Sequence, residues 1–471
     1  MIFEIISIIL FNLLFYWRTI FYGRVSDDKL PKDHKRIAPK NFLHNLWLGF
    51  KWHTQTSDKV AHAVNLIIHT LNCILIYFAF GRNNLSFLTA LLFAINPVNT
   101  QGGAIWLSGR HYALGATFVL LMFLFPLISP IFYFLGLSYG NFNVLVSPLF
   151  FLPTKYWFWG LLFLGGFIFK RKIIKTQIAG KEVTATPVMK EIKPYKLILF
   201  FKTFGYYTQL CLFPLRLGFY HKFLYFWGVS KQDNKECLRL NWSFWKGLII
   251  TLAVVVLIIF NWNNFLGFGL FWWTMGIFIW CNLITIQQAI GERYAYLPNC
   301  GLILALAYII IKLPHPFNII AITTFFVFYA FKLWFYTRAY KDEKYFAQHN
   351  LYDFPDFHQN YVWLGLLYQE QGRRYEALGA WLDALELRPL DFKTLFDTGQ
   401  ILGEIGHLQD AWNTFEKAKQ SLVPETAEKE LLAVIEKRQA ILKEAIEKSQ
   451  IATQNQIIEM AKKIKKGEKL F

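Results

Sequence analysis

The chain has 471 residues, 55% of them hydrophobic and 19% aromatic, with a mean hydropathy of +0.31. A soluble protein cannot hydrate a surface built from that composition, so the chain is expected in a membrane. Its formal charge is +18, and its five cysteines are odd in number and lack CxxC spacing, which argues against a disulfide framework or a cysteine metal site. Cys73, Cys211, Cys237, Cys281 and Cys300 are expected as small core residues.

Apolar runs recur from residue 2 to residue 336, against about 20 residues needed to cross the hydrocarbon core. Broken at proline, glycine and charge clusters, they give about eleven expected spans: 2–20, 61–80, 85–96, 111–126, 129–146, 150–169, 197–214, 247–262, 265–286, 297–312 and 317–336. The first has no basic leading region and no small-residue cleavage site, so it is expected as a retained span and not a removable signal. The connector 169–196 carries Lys170, Arg171, Lys172, Lys175, Lys181, Lys190, Lys193 and Lys196 against two glutamates, which assigns it to the cytoplasm by the positive-inside rule. On that parity the stretches 21–60, 97–110, 215–246 and 287–296 face the extracytoplasmic side together with the C-terminal part. Loops 21–60 and 215–246 nevertheless hold eight and six Lys/Arg. Such cations have a purpose there if the ligand is anionic.

Four polar constellations fall on that one face. GRVSDDKLP places Asp27 and Asp28 just after the first span, and carboxylates at a membrane edge are functional candidates unless simply hydrated. LLFAINPVNTQGGAIWLSGRHYALGATFVLL, residues 91–121, breaks at Pro97, loosens at Gly102 and Gly103, and sets Arg110 and His111 before the next apolar run. LFPLRLGFY places Arg216 after a span end, and IGERYAYLPNCGLIL places Glu292, Arg293 and Tyr294 directly before one. A cation held between helices can bind phosphate; the bland alternative is an arginine snorkelling to the interface. His62 and His69, one heptad apart along a span, are expected as helix-packing polar residues and not as metal ligands.

From about residue 338 the chain becomes charged and periodic. Gly365, Tyr368, Gly372, Ala377, Trp381, Ala384 and Pro389 have the spacing of a tetratricopeptide unit. The same spacing returns 34 residues on at Gly399, Leu402, Gly406, Ala411, Phe415 and Ala418. Two helix pairs, about 358–391 and 392–425, are therefore expected within a domain 338–424. Segment 425–471 should add a capping helix, with Leu432, Ile435, Leu442 and Ile446 on one stripe, and a basic tail. The fold class is all-α: a polytopic membrane helix bundle over 1–337 followed by a tetratricopeptide-repeat domain. Such a module either binds a protein or peptide or merely caps the membrane domain.

Taken together, VSDD (25–28), His62-Asn65-His69, NPVNTQ followed by GRH (96–111), FPLRL (213–217), ERYAYLP with Gly301 (292–301) and YKDEKYF (340–346) resemble the transmembrane and tetratricopeptide-containing O-mannosyltransferases and their bacterial relatives, in the GT-C class of membrane glycosyltransferases. The order is the same over nearly the whole chain. Tyr112 stands where the family often has an acid, Val146-Ser147-Pro148 lacks its lysine, and loop 21–60 lacks its Arg-Pro-Leu element. The resemblance implies a GT-C-like bundle, a polyprenyl-phosphate sugar as donor and transfer of one sugar, such as a mannose-like hexose, to a hydroxyl of a protein acceptor at the extracytoplasmic face. It also implies inversion by direct displacement of the lipid phosphate. Asp27 or Asp28 is then the general base, with the other orienting the acceptor, and Arg110 and Arg293 hold phosphate. His111, Arg216 and Tyr294 are weaker candidates for substrate contact, and Glu292 is expected to pair with Arg293.

No cofactor is expected, the sugar lipid being a substrate; metal dependence is left open. Expected partners are that donor, membrane lipids and a protein or peptide acceptor, with no nucleic acid, and the expected location is a multi-pass cell-membrane protein. Two other functions compete: a non-catalytic scaffold presenting the repeats, which Tyr112 and the missing lysine favour, and an oligosaccharide ligase or polymerase.

Overall fold

The computed structural model describes residues 1–29, 57–140, 143–166, 168, 195–219, 221, 238–283, 290–421 and 428–465. The side chains of Asp27, Lys29, 428–431 and 460–465 lie outside that description, as does the connector 169–194 on which the expected orientation rests. All regular structure among the described residues is helical. The α-helices are α1 Ile2–Tyr16, α2 Asp58–Ala79, α3 Asn84–Ile95, α4 Arg110–Leu124, α5 Ser129–Tyr139, α6 Asn143–Val146, α7 Lys196–Leu212, α8 Trp242–Phe260, α9 Phe265–Phe278, α10 Tyr296–Lys312, α11 Phe317–Ala339, α12 Glu343–Asp353, α13 His358–Glu370, α14 Arg374–Leu387, α15 Phe392–Glu404, α16 Leu408–Ser421 and α17 Glu428–Lys465.

Among the described residues, six helical stretches are long and apolar enough to cross a membrane: Ile2–Phe21, Asp58–Ala79, Leu107–Leu124, Trp242–Phe260, Glu292–Lys312 and Phe317–Ala339. Four of the other five expected spans coincide with shorter apolar helices, and the fifth, 197–214, with the 17-residue α7. Asn84–Ile95, with 12 residues, rises only about 18 Å. Burial separates the six: 78% of the Glu292–Lys312 window is inside the bundle, against 17% for Phe317–Ala339 and 22% for the first helix and for Trp242–Phe260. The last three thus present apolar side chains outward, as lipid-facing helices do. The centre is packed through small residues and aromatics. A Cβ on Gly301 would come within 2.5 Å of the Gly269 carbonyl oxygen, so α9 and α10 meet backbone to backbone. Phe80, Phe123 and Phe150 surround Trp272 beside that contact. Cys73, Cys211, Cys281 and Cys300 are buried free thiols in this core.

The first compact unit runs through Phe354 and so includes α12. The second unit holds helix pairs α13/α14 and α15/α16. In the first pair the Trp381 ring fills the space a Gly365 side chain would need, 2.2 Å from the would-be Cβ, and its indole donates to the Val362 carbonyl at 3.3 Å. Phe415 takes the same place against Gly399. Ile435 and Leu442 of α17 are buried with Leu395, Ala411 and Phe415, so that stripe covers the last pair.

Candidate functional site

The candidate site is built around Trp106–Arg110. Leu107–Gly109 is a 3₁₀ turn that opens into α4, and helix starts leave backbone N–H groups without intrahelical acceptors. A residue distant in sequence supplies the acceptor. The Asp28 carboxylate, 1% exposed, accepts from the Leu107 N–H at 3.3 Å, the Ser108 N–H at 2.7 Å and the Ser108 hydroxyl at 2.6 Å. Its charge also suits the positive end of the helix dipole. Asp28 lies in the 3₁₀ turn Ser26–Lys29.

From the other side α2 holds the same segment. Asn65 donates through Nδ2 to the Trp106 carbonyl at 3.2 Å and accepts from Arg110 Nε at 2.7 Å, while Arg110 Nη2 donates to the Ala61 carbonyl at 2.9 Å. Arg110 is thus buried and tied to α2. One turn below the Asn65 contact, His69 bridges the Tyr296 hydroxyl, 2.7 Å from Nδ1, and the Ala94 carbonyl, 3.2 Å from Nε2. It is a packing residue here.

Arg293 reaches the segment from the end of α10. Its half-buried guanidinium lies 5.3 Å from the Trp106 ring centre, 5.1 Å from Phe219 and 4.9 Å from Tyr294, three faces that attract a cation. Nη2 also donates to the Tyr294 hydroxyl at 3.5 Å, and the Tyr112 hydroxyl is close by. Tyr294 itself stacks on Trp280 at 4.0 Å and is fixed by Asn143, which donates to its carbonyl and accepts from the Trp280 indole. Tyr112 contributes to the surroundings of Arg293.

The fully buried Glu292 is engaged elsewhere than expected. Oε1 accepts from the Gly218 N–H at 2.7 Å and from His221 Nε2 at 3.1 Å, and Oε2 accepts from the Tyr336 hydroxyl at 2.7 Å. The carboxylate therefore fastens the 217–221 segment, which carries Phe219 to Arg293. His111 is half-buried with its ring 4.2 Å from Tyr112. Arg216 is exposed and lines a cleft with Tyr206, Gln209, Phe213 and Leu215; among the described contacts it makes none with the Trp106–Arg110 segment.

Helix α12 supplies groups that sequence reasoning missed. Glu343 Oε1 accepts from the Ser26 N–H at 2.7 Å, and the Lys341 carbonyl accepts from the Gly23 N–H at 3.0 Å. Ser26 has φ +55°, a conformation few non-glycine residues hold without support. Further along α12, Asn350 Oδ1 accepts from the Phe219 N–H at 2.6 Å, Asp353 Oδ2 from the Leu217 N–H at 2.9 Å, and His349 Nε2 donates to the Leu217 carbonyl at 2.9 Å. This helix thus holds Ser26 and the 217–219 segment, while Lys341 just before it holds Gly23. The cue in the sequence was YKDEKYF, whose acids cannot be told from solvated ones without the fold.

These features define a helical membrane protein with an arginine and carboxylate cluster at one end of its bundle. The chain is distantly similar to proteins named Protein O-mannosyl-transferase TMTC1 from Homo sapiens, 29% identical over 148 residues, and from Mus musculus, 31% identical over 148 residues, covering 27% of this chain in each case. It is also 31% identical over 109 residues, 21% of this chain, to Protein O-mannosyl-transferase F38B6.6 from Caenorhabditis elegans. The chain matches only 15% to 16% of the length of these relatives. No family model and no solved structure matches it.

Proposed function

We propose that the protein is a membrane glycosyltransferase of the GT-C type that moves one sugar from a polyprenyl-phosphate donor to a hydroxyl of a protein acceptor at the extracytoplasmic face. The observation that carries this reading is the convergence of Asp28, Arg110 and Arg293 on Trp106–Arg110, joined to the partial similarity to protein O-mannosyl-transferases. In the reaction the acceptor oxygen attacks the anomeric carbon, the bond from that carbon to the phosphate oxygen breaks, and a carboxylate takes the acceptor proton.

Asp28, with its oxygens receiving three hydrogen bonds, is a positioning residue in this scheme, and Asp27 is the base. Arg110 is likewise anchored, while half-buried Arg293 meets the leaving phosphate. The paired helices of the second unit are tetratricopeptide repeats that present or select the acceptor.

The test is transfer in native membranes from a panel of polyprenyl-phosphate sugars, comparing the parent with Asp27→Asn and Arg293→Gln. Loss of transfer in both variants, with normal protein levels, is the expected result. Transfer surviving Asp27→Asn removes that residue as base. No transfer by the parent from any donor favours the scaffold reading.

A further inference from the structure

Two arginines meet at the Trp334 ring. Arg18, in the 3₁₀ turn Trp17–Phe21 that ends the first helix, sets its guanidinium 3.5 Å from the centre of the Trp334 ring. Arg338, one turn further along α11, lies 5.4 Å from the same ring. The two cations are no farther apart than those distances combined, and among the described residues neither meets a carboxylate. Two guanidinium groups brought together from helices over three hundred residues apart concentrate positive charge at one place, which favours an anion between them.

The surroundings identify the anion. Trp17, Phe21, Trp334 and Phe335 are large exposed aromatics around the pair, as in the belt that membrane proteins present at headgroup level. Below it on α11 runs an apolar groove of about 660 Å³ lined by Ile319, Ile320, Val327, Phe328 and Phe331, ending one turn before Trp334. A groove for a hydrocarbon chain with two arginines at its polar end has the shape and charge of a phospholipid.

We infer that Arg18 and Arg338 bind the phosphate of an anionic bilayer phospholipid whose acyl chain lies along α11. Trp334 holds both guanidinium planes in place. This does not rest on the glycosyltransferase reading, since its readout is lipid retention and not transfer.

The test is native mass spectrometry of the full chain in detergent, titrated separately with phosphatidylglycerol, phosphatidylcholine, polyprenyl monophosphate and inorganic phosphate. The parent should retain phosphatidylglycerol in preference to phosphatidylcholine. Arg18→Gln and Arg338→Gln should each weaken retention about five-fold, and the double variant more, while Lys312→Gln changes nothing. The single variants keep the test decisive if the double variant does not fold. Equal retention by the variants and the parent, or of the two phospholipids, overturns the inference. So does arginine-dependent retention of polyprenyl monophosphate alone, or displacement of the lipid by inorganic phosphate at equal concentration.

Discussion

Asp28→Asn separates anchoring from chemistry. In the parent, Oδ1 receives both the N–H and the hydroxyl of Ser108, and Oδ2 receives the Leu107 N–H. An asparagine can keep its carbonyl on the Ser108 side, but its amide then faces the Leu107 N–H donor to donor. A buried N–H left without an acceptor costs about 1–3 kcal/mol. Losing a negative charge at the start of α4 adds about 0.3–1 kcal/mol, and more because the site is buried. The total, about 2–4 kcal/mol, is large against ordinary surface substitutions. The assay is thermal unfolding of the detergent-purified protein, run beside transfer in membranes. Asp28→Asn should lower the melting midpoint by several degrees and reduce transfer in part, whereas Asp27→Asn should melt with the parent and lose transfer. If Asp28→Asn melts with the parent and abolishes transfer, the carboxylate is a chemical group and the anchoring argument fails.

Glu343→Ala removes the acceptor that holds Ser26 at φ +55°, and should cut transfer about ten-fold, chiefly in kcat, at a stability cost of about 1–3 kcal/mol; Glu343→Gln, which keeps an acceptor oxygen, should restore most of both in the same assays. At Gly109 a Cβ would stand 2.1 Å from the Gln101 backbone oxygen, so Gly109→Ala must move the segment that carries Ser108 and Arg110. It should cost about 3 kcal/mol or more, seen as a loss of folded protein on size exclusion. In the second unit, burial and the nearby Arg388 hold the His358 pKa down to about 3. The neutral ring's contribution is therefore fully present above about pH 6.5 and lost as pH falls toward 3, at up to about 1.4 kcal/mol per pH unit. Hydrogen-exchange protection factors in α13, taken relative to the intrinsic rate at each pH, should fall on acidification from pH 6.5 to 5, and His358→Gln should flatten that dependence.

The helical repeat positions were legible because they are periodic. Gly365 against Trp381 and Gly399 against Phe415 need fixed spacing, and fixed spacing survives in a single sequence. The helix positions of the membrane part were legible from hydropathy, but the count of spans was not. Hydropathy measures how apolar a run is, while crossing depends on length, and Asn84–Ile95 and Phe265–Phe278 are apolar helices too short to cross alone. Asp28, Arg110, Arg293 and Tyr294 stand out in the sequence because they flank spans, yet nothing in it reveals the hydrogen bonds that tie down the first two. Their partners, Ser108, Asn65 and Ala61, are ordinary residues brought close by the fold alone.

The same confusion explains Glu292. A buried carboxylate beside an arginine reads as its ion-pair partner, but the polar atoms of 217–219 have no regular structure to satisfy them. An unmet backbone N–H inside the bundle costs more than a weaker arrangement of Arg293, which three aromatic faces already hold. Charge is spent first on irregular segments because these lack internal hydrogen bonds, and α12 repeats the solution with Glu343, Asn350 and Asp353. A site of this kind is rigid before any substrate arrives. Groups left at the edge of that frame, Arg293 foremost, are then the ones able to meet a charge that develops during reaction.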